Sequence, residues 1–212
     1  MKTYIVHKID NKDIILSGKG NHSIWKKASS ITDFSSPWDN NPIKKIEFKA
    51  VHNSEKIFFQ FKVDDNHVYI HPAEDKNDSI NNSDRVELFF RSDAFLNPYY
   101  CLEIDPLGRI MDFKAKPNKN FDFNWNWPSK DIEVKSEIEA NYFIVEIAIT
   151  LQSLKNLNLL KKGKLETGIY RAKYNQQKDK SFKPTWIPWI DPNTETPNFH
   201  TPTSFGILTL EN

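Results

Sequence analysis

The chain has 212 residues, enough for one all-β domain with a substantial core, and its 29 Lys and Arg against 28 Asp and Glu leave a formal charge of +1. No global field therefore draws it to nucleic acid or to an anionic membrane, and no apolar run reaches the roughly 18 residues of a membrane span. A single cysteine, Cys101, excludes an intramolecular disulfide. The first eight residues turn polar too soon for a secretory signal, so a cytoplasmic chain, or a secreted one whose leader has been removed, is expected.

Residues 3–9 read as a short edge strand, followed by a turn-rich stretch around Gly18-Lys19-Gly20. Ser35-Ser36-Pro37 predicts a loop that lays Trp38 against the domain. Ile46, Phe48 and Ala50 alternate with charged neighbours, and Ile57, Phe59, Phe61 and Val63 do so beyond the turn at Asn53-Ser54, the pattern of a hairpin. A polar loop rich in Asp and Asn occupies residues 72–83. Three more alternating segments follow, at 85–91, 99–105 and 109–114, the last two joined by the turn Asp105-Pro106-Leu107-Gly108. Side chains alternate between the two faces of a strand, so Val86, Leu88 and Phe90 lie opposite Arg85, Glu87 and Phe89. In the next strand Tyr100, Leu102 and Ile104 lie opposite Cys101, Glu103 and Asp105. Two adjacent strands that each carry a carboxylate in mid-face make a charged, wet patch on a rigid sheet, and a ligand is expected there.

Phe121, Phe123, Trp125 and Trp127 alternate with polar residues, as if four aromatics shared one side of a strand that serves as core, cover or contact surface. Ile132 to Ile138 and Phe143 to Ile149 form a second hairpin pattern, and leucines at 151, 154, 157, 159 and 160 predict one short amphipathic helix. In residues 168–175, Ile169, Arg171, Lys173 and Asn175 share a face. The prolines between 184 and 202 exclude a central strand there, and residues 205–210 close the sheet. Ten or eleven short strands, with no alternation of strand and helix, predict an antiparallel all-β sandwich that fills residues 1–212 as a single domain.

Several of these segments, in this order, carry a resemblance: Gly18-x-Gly20 with Trp25-Lys26-Lys27-Ala28, Pro37-Trp38, Asp84-Arg85-Val86-Glu87-Leu88-Phe89-Phe90, Tyr100-Cys101-Leu102-Glu103-Ile104-Asp105, Gly168-x-Tyr170-Arg171-Ala172, Trp186-Ile187-x-Trp189, and Asn198-Phe199-His200. Together they make the chain similar to the carbohydrate-binding module family 9-like proteins, relatives of modules appended to xylanases. The resemblance implies a jelly-roll-like sandwich, non-catalytic carbohydrate binding in polysaccharide use of the xylan type, and in some relatives a structural calcium. In the xylanase modules a sugar is clamped between two tryptophans, one of them shortly before the glutamate that matches Glu87. Here Ile80-Asn81-Asn82-Ser83 holds no aromatic, so that wall of the clamp is expected to be missing.

Rows of sugar hydroxyls call for ionised acceptors and rigid donors, and the candidates of that chemistry are Glu87, Glu103 and Arg171, with Lys173 and Asn175 on the face of Arg171. The alternative for the same residues is a structural ion pair across the sheet. Trp186 and Trp189 suit either a flat platform for a sugar ring or a hydrophobic lid, and His200 either a ligand contact or a packed imidazole. Asp64, Asp65 and Asn66, or the carboxylates between 75 and 84, could form an oxygen cage for calcium or a solvated turn. A glycoside hydrolase is the runner-up, although neighbouring arginines are expected to lower the pKa of both glutamates and work against a general acid. A protein-interaction sandwich without a sugar site is the third class.

Overall fold

The computed structural model describes residues 2–10 and 14–212. Twelve strands and two short helices run through them: β1 (Thr3–Lys8), β2 (Ile46–His52), β3 (Lys56–Asp64), α1 (Lys76–Asn81), β4 (Arg85–Arg91), β5 (Tyr99–Ile104), β6 (Ile110–Lys116), β7 (Asn120–Asp122), β8 (Ile132–Ile138), β9 (Tyr142–Thr150), α2 (Leu151–Asn156), β10 (Lys164–Gln176), β11 (Phe182–Pro188) and β12 (Gly206–Leu210). No helix is long and apolar enough to cross a membrane among the described residues.

The strands form a sandwich of two sheets. One runs β7-β6-β5-β4-β10-β12-β1 and the other β1-β2-β3-β9-β8. The strand expected at an edge, β1, is instead shared: Thr3 to Val6 pair with β12 and His7 and Lys8 with β2, both in parallel, so the chain passes from one sheet to the other. All other pairings are antiparallel. Both predicted hairpins form, as β2–β3 and β8–β9. The proline-bearing β11 pairs only with β10, where Pro184 and Pro188, which lack an N–H, are tolerated.

Between the sheets lies the main core. Val86, Leu88, Phe90, Tyr100, Leu102 and Ile104 meet Phe48, Phe59, Phe61, Val145 and Ile147 there, as the period-two pattern requires. The other face of β4, β5 and β6 is not open to water. Phe89, Cys101, Met111, Phe113 and Tyr170 join Phe199 and Phe205 in a second apolar cluster, because the chain between β11 and β12 folds over that face. A third cluster, with Trp25 and Phe58, lies under the N-terminal segment on the outside of the other sheet.

Two local readings change. The polar loop at 72–83 contains α1, whose N-cap Asp75 accepts a hydrogen bond from the Asp78 amide. The aromatic run 121–127 is not one strand: β7 ends at Asp122, Phe121 and Phe123 turn to the face of Phe113, and Trp125 and Trp127 pack on Tyr100 in the core.

Candidate functional site

Cross-strand register fixes the floor of the site. Glu87 stands directly opposite Glu103, with Tyr170 on its other side and Met111 beyond Glu103. One step along, Arg85 is flanked by Ala172 and then Trp186. These rows share a face, because directly paired residues point the same way. A cavity of about 560 Å³ opens above them, within the range of small-ligand sites. Its two sides come from either flank of β4 and β5, Trp186 from β11 beside β10 and Phe113 and Phe121 from β6 and β7. With neighbouring strands about 4.8 Å apart, the aromatic walls stand on either side of the carboxylates. Helix α1 adds Asn77, Asp78 and Asn81, and the loop before β7 adds Lys119.

The walls are braced from behind. Phe199 stacks on Tyr170 at 4.1 Å and meets the edge of Trp186 at 5.6 Å. Trp38, from the predicted loop, packs on Phe199 and donates its indole N–H to the Thr194 carbonyl. His200 also lines the cavity, stacked on Phe89 and held by Tyr99, whose hydroxyl lies 3.0 Å from Nδ1. Burial, with Lys119 and Arg85 nearby, pushes the His200 pKa down to about 3, so the ring is neutral and shares a single hydrogen bond with the Tyr99 hydroxyl through Nδ1.

At the floor the charges do not balance. Arg85 Nε lies 2.9 Å from Glu87 Oε1 and 2.7 Å from Glu103 Oε2, and all three side chains are almost wholly buried. A guanidinium Nε carries one hydrogen and cannot point at two carboxylates, and neither contact is aligned as a hydrogen bond. Arg85 Nη1 donates to the Asn81 carbonyl at 2.7 Å and reaches the Ser83 carbonyl at 3.5 Å, and its guanidinium lies 5.3 Å from the Trp186 ring centre. Burial, reinforced by the charge of Glu103 and only partly offset by Arg85, pushes the Glu87 pKa up to about 8. Burial raises Glu103 as well, against the pull of Arg85. The expected lowering of both carboxyls is thus reversed: one arginine cannot offset the desolvation of two. The patch expected to be wet is a buried floor.

The structure divides the predicted constellation. Glu87, Glu103, Trp186 and His200 line the cavity, while Arg171, Lys173 and Asn175 lie on the opposite face of β10. Arg171 pairs across the sheet with Val86 and Ile187, so it points between the sheets, where its Nη2 meets Asp65. Lys173 Nζ bridges Asp65 at 2.9 Å and Asp84 at 2.8 Å, and Asn175 binds the Thr185 hydroxyl. A second cavity, of about 500 Å³, opens there. Trp189 is no platform: it is 3 % exposed and belongs to the main core. The oxygen donors proposed for calcium at Asp65 and Asp84 are taken up by these cations, and among the described residues no group of three or more His, Cys, Asp or Glu could hold a metal.

Sequence reasoning did not place Arg85, Phe121, Phe123 and Phe199 in the site. Arg85 was legible, standing two residues before Glu87 on the same strand face. The chain departs from the expected clamp in a definite way: the wall opposite Trp186 is phenylalanine from β7 and the residues after it.

The family model described as carbohydrate family 9 binding domain-like matches residues 16–212. A search of the curated proteins finds no match. Among solved structures, a Bacteroides uniformis ATCC 8492 protein for which carbohydrate binding has been suggested superposes with a TM-score of 0.78 at 18% identity, covering 99% of each chain. A carbohydrate binding module family 9 from Caldicellulosiruptor kristjanssonii in complex with glucose gives 0.64 at 15% identity, covering 99% of this chain and 96% of that one. The same kind of module in complex with cellotriose gives 0.62 at 14%, covering 99% and 94%. The family model spans nearly the whole sequence, and the chain belongs to the carbohydrate family 9 binding domain-like family.

Proposed function

We propose that the protein binds a carbohydrate in the cavity over β4 and β5 and releases it unchanged. One observation carries this: aromatic walls on two sides meet a floor on which two carboxyls line the cavity and accept no aligned hydrogen bond from the protein. Hydrogen bonds to charged groups are the stronger ones, and a ligand rich in hydroxyls supplies donors to the carboxyls that line the cavity. A flat ring against Trp186 buries its apolar face while its edge reaches the floor. The solved modules that bind glucose and cellotriose share the fold and support this reading.

The raised Glu87 carboxyl is what a general acid requires, which favours hydrolysis as a second reading. Geometry speaks against it. A glycosidase places its two carboxyls on either side of the scissile bond, whereas Glu87 and Glu103 stand side by side, both against the same Arg85 nitrogen.

The test is tryptophan fluorescence and calorimetric titration with glucose, cello-oligosaccharides and xylo-oligosaccharides, together with aryl glycosides as turnover probes. Saturable binding that Glu87→Ala removes, without turnover, is expected. Flat titrations against every sugar sink the proposal, and turnover lost in Glu103→Gln replaces it with the hydrolase.

A further inference from the structure

We infer that the cavity takes a sugar bearing a free amino group, held as an ammonium between the carboxylates of Glu87 and Glu103. This rests on the carbohydrate reading above and names the ligand class more narrowly.

On the floor, β4 supplies one cation, Arg85, and one carboxyl, Glu87; β5 supplies a second carboxyl, Glu103. Among the described residues around the cavity, no other buried group corrects the imbalance. His200 is neutral and bonded to Tyr99. Burial raises the Cys101 thiol and the Tyr99 and Tyr170 phenols, which keep their protons, and the Tyr174 hydroxyl donates to the Asn81 carbonyl. From β6 only Met111 and Phe113 face the cavity. At the mouth Asp78 of α1 and Lys119 are both exposed, of opposite sign, and screened by water. With both carboxyls ionised the buried set is one negative charge in excess.

An empty cavity meets this excess by keeping a proton on the pair. A neutral sugar leaves the proton where it is. An ammonium replaces it, bringing one positive charge and three N–H donors to two carboxyls that line the cavity and accept no aligned hydrogen bond from the protein. Directly opposed residues on antiparallel strands have Cβ atoms about 4.5–5.5 Å apart, a separation that lets two carboxylates share one ammonium. Binding therefore breaks the carboxyl O–H bond of the pair and releases that proton to buffer, and no other covalent bond changes.

The test compares glucosamine, N-acetylglucosamine and glucose by calorimetry at about pH 6.5, where the amine is charged and the pair holds its proton. Repeating the titrations in two buffers of different ionisation enthalpy counts protons released. Glucosamine is expected to bind about tenfold more tightly than either neutral sugar, the gap between charge-assisted and neutral hydrogen bonds, with release approaching one proton. In Glu103→Gln the ratio of glucosamine to glucose affinity falls to about one. Glucose binding as tightly as glucosamine overturns the inference and leaves the carbohydrate reading standing. Failure of all three, and of cello-oligosaccharides, removes both. An amine preference that survives in folded Glu103→Gln also overturns it, because the ammonium then sits elsewhere. Should that variant not fold, proton release in the unaltered protein decides: none on glucosamine binding refutes the shared-carboxylate site.

Discussion

The guanidinium of Arg85 lies 5.3 Å from the ring centre of Trp186, so the one indole lining the cavity is fixed by a cation on the floor and by Phe199 behind it. Such a pair holds the ring in place before a ligand arrives, which reduces the ordering cost of binding. Trp186→Ala is expected to weaken sugar binding about five- to thirtyfold, corresponding to roughly 1–2 kcal/mol of lost ring contact. Trp186→Phe should keep part of the affinity and lose most of the ligand-induced fluorescence change, because the other five tryptophans lie outside the cavity. Titration by fluorescence and calorimetry in parallel separates the two effects.

Glu87 gives the fold a pH dependence of definite sign. Its pKa in the folded protein, about 8, lies above the ordinary value of 4.5, so the folded state binds the proton more tightly than the unfolded chain does. The stabilisation is complete below the unfolded value and is lost as pH rises from about 4.5 through about 8. Glu87→Gln cannot lose that proton. Its unfolding free energy should fall less than that of the native sequence between mildly acid and alkaline pH, by at least about 1 kcal/mol, in urea titrations across that window.

Period-two alternation on β4 and β5 sorts core from site correctly, since each strand has one wholly apolar set. On β10 it misleads: Tyr170 and Ala172, in the set that looks apolar, lie beside Glu87 and Arg85 at the site, while Arg171, in the set with two cations, lies beside Val86 between the sheets. Only the register with β4 shows that Arg171 joins Val86 and not Glu87. Burial of the floor was equally illegible, because the chain that covers it, with Phe199 and His200, is a proline-punctuated segment nearly a hundred residues away in sequence. Helix α1 is six residues rich in Asn and Asp, too short for periodicity, and only the Asp75 cap announces it.

Arg171 tests this separation of faces. It is buried against Asp65, whose carboxylate burial alone would raise but which Arg171 and Lys173 hold below the usual range. Arg171→Ala leaves that acid short of a partner and should destabilise the protein by about 3–5 kcal/mol. Arg171→Met, which refills the space, should cost less. Sugar affinity in the folded fraction should not change, because the residue faces away from the cavity. Loss of binding in a folded Arg171→Met protein would show that the two faces communicate.

The paired glycines near the N-terminus have a mechanical reason that can be measured. Gly18 has φ +80°, a left-handed conformation that side chains rarely adopt, and a Cβ there would come within 2.8 Å of the Ser136 backbone on β8. Its amide donates to Glu146 Oε2 at 2.7 Å, as does that of Ser17 at 3.1 Å, while the Trp25 indole donates to Oε1 at 2.7 Å. These three donors satisfy a fully buried carboxylate on β9 and tie the N-terminal segment over the third apolar cluster. Gly18→Ala combines backbone strain with a clash against main chain that cannot yield, and should cost about 1–3 kcal/mol in urea unfolding. Glu146→Gln keeps the acceptor oxygen but loses the charge, and should cost less than Glu146→Ala, which strands all three donors. Glu146 lies on the other sheet and Gly18 in the segment packed against it, and neither lines the cavity, so sugar titrations of these variants should match the native protein wherever it remains folded.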